Sequence, residues 1–175
     1  MKYINYFYKN IAYLLFLFFF SSLIGGLLET IYVYILYNKF YIGGFLFGPL
    51  RPIYGIGCLL LYFLTRNHKE NNILIFIKCF LILSIFEYFS SLLLELIFNK
   101  TWWNYSNYLF NLDGRICLFM SIIWGLLGII YLNYLEPLLR KIFNKFKEEK
   151  IVILLHGISF YFLVDLILSI IININ

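Results

Sequence analysis

Glu29, Arg51, Glu87, Glu95, Arg115 and Asp165 are ionisable side chains set in runs of sequence that are otherwise almost wholly apolar. A charge in hydrocarbon costs about 3 kcal/mol or more, so each of these groups needs a partner or a purpose. Two chemistries follow from two arginines facing three or four acids. The charges can pair to hold a helical assembly together, or they can line a polar site for a substrate or an ion. Both readings stay open on the residues alone. Arg51 and Arg115 each fall near the start of an expected helix, where the positive end of the helix favours anions, so an anionic headgroup is a fitting ligand. Ser84, Glu87, Tyr88, Ser91 and Glu95 recur at spacings of three and four and would form one polar stripe on a helix. Lys78 lies near the end of the same apolar run, where its long stem would let the ammonium reach the membrane surface.

Other chemistries lack their residues. There is no G-x-x-x-x-G-K-[ST] segment, so ATP hydrolysis by a P-loop is excluded. His68 and His156 form no H-E-x-x-H pair, and Cys58, Cys79 and Cys117 have no C-x-x-C spacing. No catalytic residue, metal site or cofactor is therefore expected, and no nucleic-acid partner. An enzyme using Glu29, Glu87 or Glu95 as general base is an alternative.

The elements that must position these residues are set by composition. The 175 residues are 63% hydrophobic and 22% aromatic, but only 13% charged, against about 25% charged in ordinary globular chains. That excludes a disordered chain and a water-soluble domain. Spanning a bilayer takes about 20 mostly apolar residues in a helix, and five stretches qualify or nearly do: about 11–37, 49–64, 72–98, 115–135 and 151–172. They are apolar on every side, unlike the two-residue alternation of a membrane barrel. The fold class expected is all-α, a polytopic membrane helix bundle of five transmembrane helices forming a single integral domain over 1–175. The first run is longer than the apolar core of a signal peptide and no small-x-small site follows it, so it is read as a retained helix.

Orientation follows from lysine and arginine in short loops. With the N-terminus cytoplasmic, the inner segments hold nine basic residues, Lys2, Lys9, Arg66, Lys69, Arg140, Lys141, Lys145, Lys147 and Lys150, against two outside, Lys39 and Lys100. The C-terminus then falls outside. Glu29, Arg51, Glu95 and Arg115 all come to the outer half, Glu87 lies nearer the middle, and Asp165 can join the same layer. A weak internal repeat accompanies this layer, with Glu29 and Arg51 on the first helical hairpin and Glu95 and Arg115 at similar separation on the second.

Three connecting segments stand out. GFLFGPLRPIYGIG (44–57) puts Pro49 and Pro52 where the first turn of the second helix is expected, with Gly55 and Gly57 allowing close approach to Gly25 and Gly26. TWWNYSNYLFNLDGR (101–115) carries Trp102 and Trp103, either as an interfacial aromatic belt or as a cap over the charged cluster. Asn111 or Asp113 is expected to cap the fourth helix. In 138–150, Leu139, Ile142, Phe143 and Phe146 share one face, as in a helix lying on an anionic membrane or docking a cytoplasmic partner.

Glu29, the 44–57 segment, the acidic third helix ending in Glu95, WWNYS (102–106) and NLDGRICL (111–118) together give the chain its resemblance to a known family. Over about 25–137 it resembles the putative ABC-transporter type IV (CmpB-like) membrane family of low-GC bacteria. Asn104 stands where the family's WWDYS pattern has aspartate, which questions a charged role for this loop. The resemblance implies a cell-membrane, multi-pass, permease-like protein for transport, working with a separate ATPase or another membrane subunit; so small a five-helix chain would have to oligomerise or pair with other chains, among membrane lipids. Candidate substrate-binding residues are Glu29, Arg51, Glu87, Glu95, Trp102, Trp103, Asp113 and Arg115. A lipid- or envelope-precursor enzyme and a non-catalytic scaffold or regulator are the alternatives.

Overall fold

The computed structural model describes residues 2–38, 44–64 and 71–174. Lys39, Arg66, His68 and Lys69, used above in the loop charge and motif arguments, lie outside the described residues. The elements in order are α1 (Lys2–Tyr37), α2 (Pro52–Leu64), α3 (Asn72–Phe98), a small hairpin of β1 (Asn111–Leu112) and β2 (Ile116–Cys117), α4 (Leu118–Ile130), a π-helical turn (Tyr131–Leu135), α5 (Glu136–Lys145) and α6 (Glu148–Ile174). Among the described residues four helices are long and apolar enough to cross a membrane, over Tyr8–Ile35, Asn72–Phe98, Leu118–Lys145 and Glu149–Ile174. The chain is thus an all-α membrane protein with four long apolar helices and a shorter one.

The shorter one is α2. Its 13 residues make a rod of about 20 Å at 1.5 Å per residue, short of the roughly 30 Å of hydrocarbon. The expected start at Pro49 is displaced to Pro52, because residues 44–51 are irregular. Pro52 takes the first helical position, which needs no N–H, and Pro49 sits in the loop.

The contacts divide into two compact units, Met1–Leu59 with Leu138–Asn175, and Leu60–Pro137. In the first, aromatic rings join the helices. Phe143 of α5 meets Tyr13 edge-on at 5.1 Å and Phe16 at 5.5 Å, while Phe162 of α6 meets Phe18 and Phe19. Leu139 and Phe143 are buried and the Arg140 guanidinium lies 4.9 Å over Tyr13. The apolar face expected to lie on a membrane surface is therefore largely taken up by α1, with only Phe146 left exposed. Gly25 does not meet another glycine as expected; it receives the ring of Tyr54, and Gly55 receives Ser22 and Phe18.

In the second unit α3 and α4 run antiparallel, as the pairs Ser84–Ser121 and Asn72–Asn133 require. Asn71 caps α3 by accepting from Leu74 N–H at 2.8 Å, and Asn99 closes it in the left-handed conformation. The fourth helix does not end at residue 135. Pro137 has no N–H and its ring would crowd the carbonyl of Asn133, so the helix widens into the π-turn and then continues as α5. Neither Asn111 nor Asp113 caps α4. Both belong to the hairpin, and Cys117 occupies the cap position with no side-chain bond.

Candidate functional site

In the first unit the loop 44–51 is gripped from two helices. Asp165 of α6 accepts from Phe47 N–H through Oδ1 (3.1 Å) and from Gly48 N–H through Oδ2 (3.0 Å). Ser169 Oγ donates to the same carboxylate at 3.4 Å. Arg51, at the end of the loop, donates from Nη1 to the carbonyls of Gly48 (2.7 Å) and Leu50 (3.2 Å), and its own N–H donates to the carbonyl of Ser22 in α1 at 3.0 Å. Backbone that forms neither helix nor strand is stable away from water only when its polar groups are satisfied by protein. Asp165 supplies acceptors and Arg51 supplies donors for the same few peptides. Gly48 is required at the centre, since a side chain there would strike the Tyr161 hydroxyl and come within 2.7 Å of Asp165 Oδ2.

Glu29 of α1 completes this arrangement loosely. Its Oε2 lies 3.9 Å from Arg51 Nε, too far for a hydrogen bond, and accepts from Tyr54 OH at 3.2 Å. Arg51 Nε is buried with no hydrogen-bond partner among the described residues, as are the hydroxyls of Ser21 and Ser22. The guanidinium thus works mainly on carbonyls, with Glu29 as a nearby counter-charge.

In the second unit all five residues of the α3 stripe are bonded. Ser84 donates to Ser121 at 2.7 Å. Glu87 is buried and takes one donor on each oxygen, Tyr105 OH at 3.0 Å and Trp124 Nε1 at 2.8 Å. Tyr88 donates to Asp113 at 2.7 Å. Ser91 accepts from Arg115 Nη1 at 3.2 Å, and Glu95 accepts from Arg115 Nη2 at 2.5 Å, a charge-assisted contact. Arg115 also lies 5.9 Å from the Tyr88 ring centroid.

The segment 99–117 is folded tightly onto this stripe. Trp103 Nε1 donates to the Arg115 carbonyl at 3.0 Å, and Trp102 packs edge-on against Phe98. Tyr105 N–H bonds to the Gly114 carbonyl at 2.7 Å while its hydroxyl reaches down to Glu87. Asn104 Oδ1 accepts from both the N–H and the hydroxyl of Ser106. That turn needs an acceptor and no charge, so asparagine serves it as aspartate would. Gly114 has φ +66°, and a side chain there would meet Asn104 and Ser106.

The sequence-selected residues thus come together in sets: Glu29 with Arg51 in one unit, and Glu87, Glu95, Asp113 and Arg115 under the Trp102–Trp103 segment in the other. Tyr54, Tyr105 and Trp124 were missed as site residues. Trp124 carried a signal, because an indole N–H in the middle of an apolar span needs an acceptor, and Glu87 is the nearby acid on the neighbouring helix.

Four helices long and apolar enough to cross a membrane, with buried acids bonded between them and their loops, define a helical membrane protein. The chain belongs to the family described as Putative ABC-transporter type IV, which matches residues 16–170. No curated protein and no solved structure matches it.

Proposed function

We propose that this protein is a permease-like membrane subunit for transport, multi-pass in the cell membrane with its N-terminus cytoplasmic. As the family's description suggests, it works in an oligomer with a separate ATPase, which would supply the P-loop this sequence lacks. The observation that carries this reading is Glu87. It is a buried acid in a membrane-crossing helix, met by neutral donors from α4 and from the overlying 99–117 segment. A lid whose tyrosine reaches an intramembrane carboxylate suits a polar site that opens outward, and acids at such depth mark substrate or ion paths. Glu87, Glu95, Asp113 and Arg115 are the substrate contacts in this unit, with Trp102 and Trp103 holding the lid. In the other unit, Glu29 and Arg51 line the loop 44–51.

The test is recovery of the tagged full chain from its native membrane in mild detergent, with the co-purifying proteins quantified. A P-loop ATPase in fixed ratio is expected, and Glu87→Gln should leave that ratio intact while lowering ATP turnover of the complex. Recovery without any ATPase, or unchanged turnover in Glu87→Gln, would overturn the proposal.

A further inference from the structure

An open groove of about 560 Å³ lies within the second unit, between the face of α3 and the β1–β2 hairpin. That volume is in the range of small-molecule sites, about 300–1,000 Å³. Phe80, Ile85 and Phe89 of α3 form one wall; Phe110 and Ile116 of the hairpin form the other. Ser84 and Ser121 also line it, with the Ser84 hydroxyl donating to that of Ser121, and both residues are buried. Phe110 holds φ 53°, a costly conformation for a bulky side chain, with its ring 79% exposed beside the groove.

The polar groups lie at one end, where Tyr88 lines the groove. Its hydroxyl donates to Asp113, and Arg115 stands over its ring. Asp113 is exposed and has no cationic partner among the described residues. Arg115 directs donors to Ser91, to Glu95 and to the Tyr88 hydroxyl, which leaves two of its five N–H donors for another acceptor. Asp113 and Arg115 lie in the hairpin ahead of α4, next to Leu112 and Ile116 of the groove, while the α3 wall runs back from Tyr88 to Phe80 along a helix long and apolar enough to cross a membrane. An apolar slot whose end residue, Tyr88, touches a carboxylate and a guanidinium just beyond the lining has the polarity of a zwitterionic lipid.

We propose that this groove seats one acyl chain of an amine-headed phospholipid from the bilayer, with the ammonium on Asp113 and the phosphate on Arg115. The site shares Asp113 and Arg115 with the contacts proposed for transport, but its test measures lipid rather than transport, so the two readings fail separately. A purely anionic lipid would place its charge against Asp113 without an amine to offset it.

The experiment is native mass spectrometry of the delipidated full chain, titrated with phosphatidylethanolamine or phosphatidylglycerol of identical acyl chains. Wild type should retain phosphatidylethanolamine about tenfold more tightly, the worth of one charge-assisted contact. Asp113→Asn should abolish that preference. Ile85→Trp, at a 57% exposed position on the groove wall, should reduce retention of both lipids, and Leu81→Trp, 50% exposed on the same wall, is the second variant should the first fail to fold. Equal retention of the two lipids by wild type, an unchanged preference in Asp113→Asn, or undiminished retention in the folded tryptophan variant would each overturn the proposal.

Discussion

Two acid–arginine pairs occupy matching places in the sequence, and they do different work. Glu29 and Arg51 join the last third of a long helix to the loop before α2; Glu95 and Arg115 join the end of another long helix to the hairpin before α4. In the second pair the charges touch, at 2.5 Å, with side chains 16% and 41% exposed. In the first they stand 3.9 Å apart, and the arginine, only 5% exposed, gives its hydrogen bonds to Gly48 and Leu50 carbonyls. A like pattern of charge therefore does not mean a like interaction. What separates the two is the backbone each serves. Residues 44–51 form neither helix nor strand and need outside donors and acceptors, whereas the hairpin 111–117 bonds its own peptides and leaves Arg115 free for Glu95.

The largest effect should come from Arg51→Ala. It strips the Gly48 and Leu50 carbonyls of a buried charged donor, at about 1–3 kcal/mol for each group left unsatisfied, and removes the cation nearest Glu29. Thermal unfolding in detergent should show that protein as severely destabilised or unrecoverable. Arg51→Lys should restore little, because one ammonium cannot reproduce the planar fork. Asp165→Ala removes two backbone acceptor contacts from the same loop and should cost about 1–3 kcal/mol by the same assay. A milder loss for Asp165→Ala than for Arg115→Ala would show that the loop does not depend on this grip.

Arg115→Ala should be smaller, about 1 kcal/mol or less, since its pair is partly exposed and screened. Its melting temperature should also depend on salt more weakly than that of the parent protein. The smallest change expected is Asn104→Asp. The side chain acts there as an acceptor for Ser106, so stability should move by less than about 0.5 kcal/mol, the usual size for a neutral surface change. A large gain would mean that the loop uses a charge at this position.

Much of this was legible in the residues, and the reasons differ by region. All-round apolarity identified the long helices, and α3 fell on 72–98 because asparagines stop it at both ends. The three-and-four spacing from Ser84 to Glu95 foretold a stripe whose every member is bonded. The hairpin was missed, although Asp113-Gly114 between short apolar runs is a strong turn signal; the nearby helix start drew both polar residues into a capping role. The loop 44–51 was taken for helix from Pro49, because nothing local reveals that Asp165, more than a hundred residues away, will satisfy its N–H groups. The apolar face of 138–150 looked free for the same reason, since its partners Tyr13 and Phe16 are distant in sequence.

The central claim, that one pair is an ion pair and the other a backbone clamp, is tested most directly by charge reversal. Glu95→Arg with Arg115→Glu, and separately Glu29→Arg with Arg51→Glu, should be compared by melting temperature with their single variants. The first double variant should recover most of the stability its singles lose, because charge contact is what those residues supply. The second should recover little, because a glutamate at position 51 cannot donate to the carbonyls of Gly48 and Leu50. Recovery in the second double variant equal to that in the first would contradict the account.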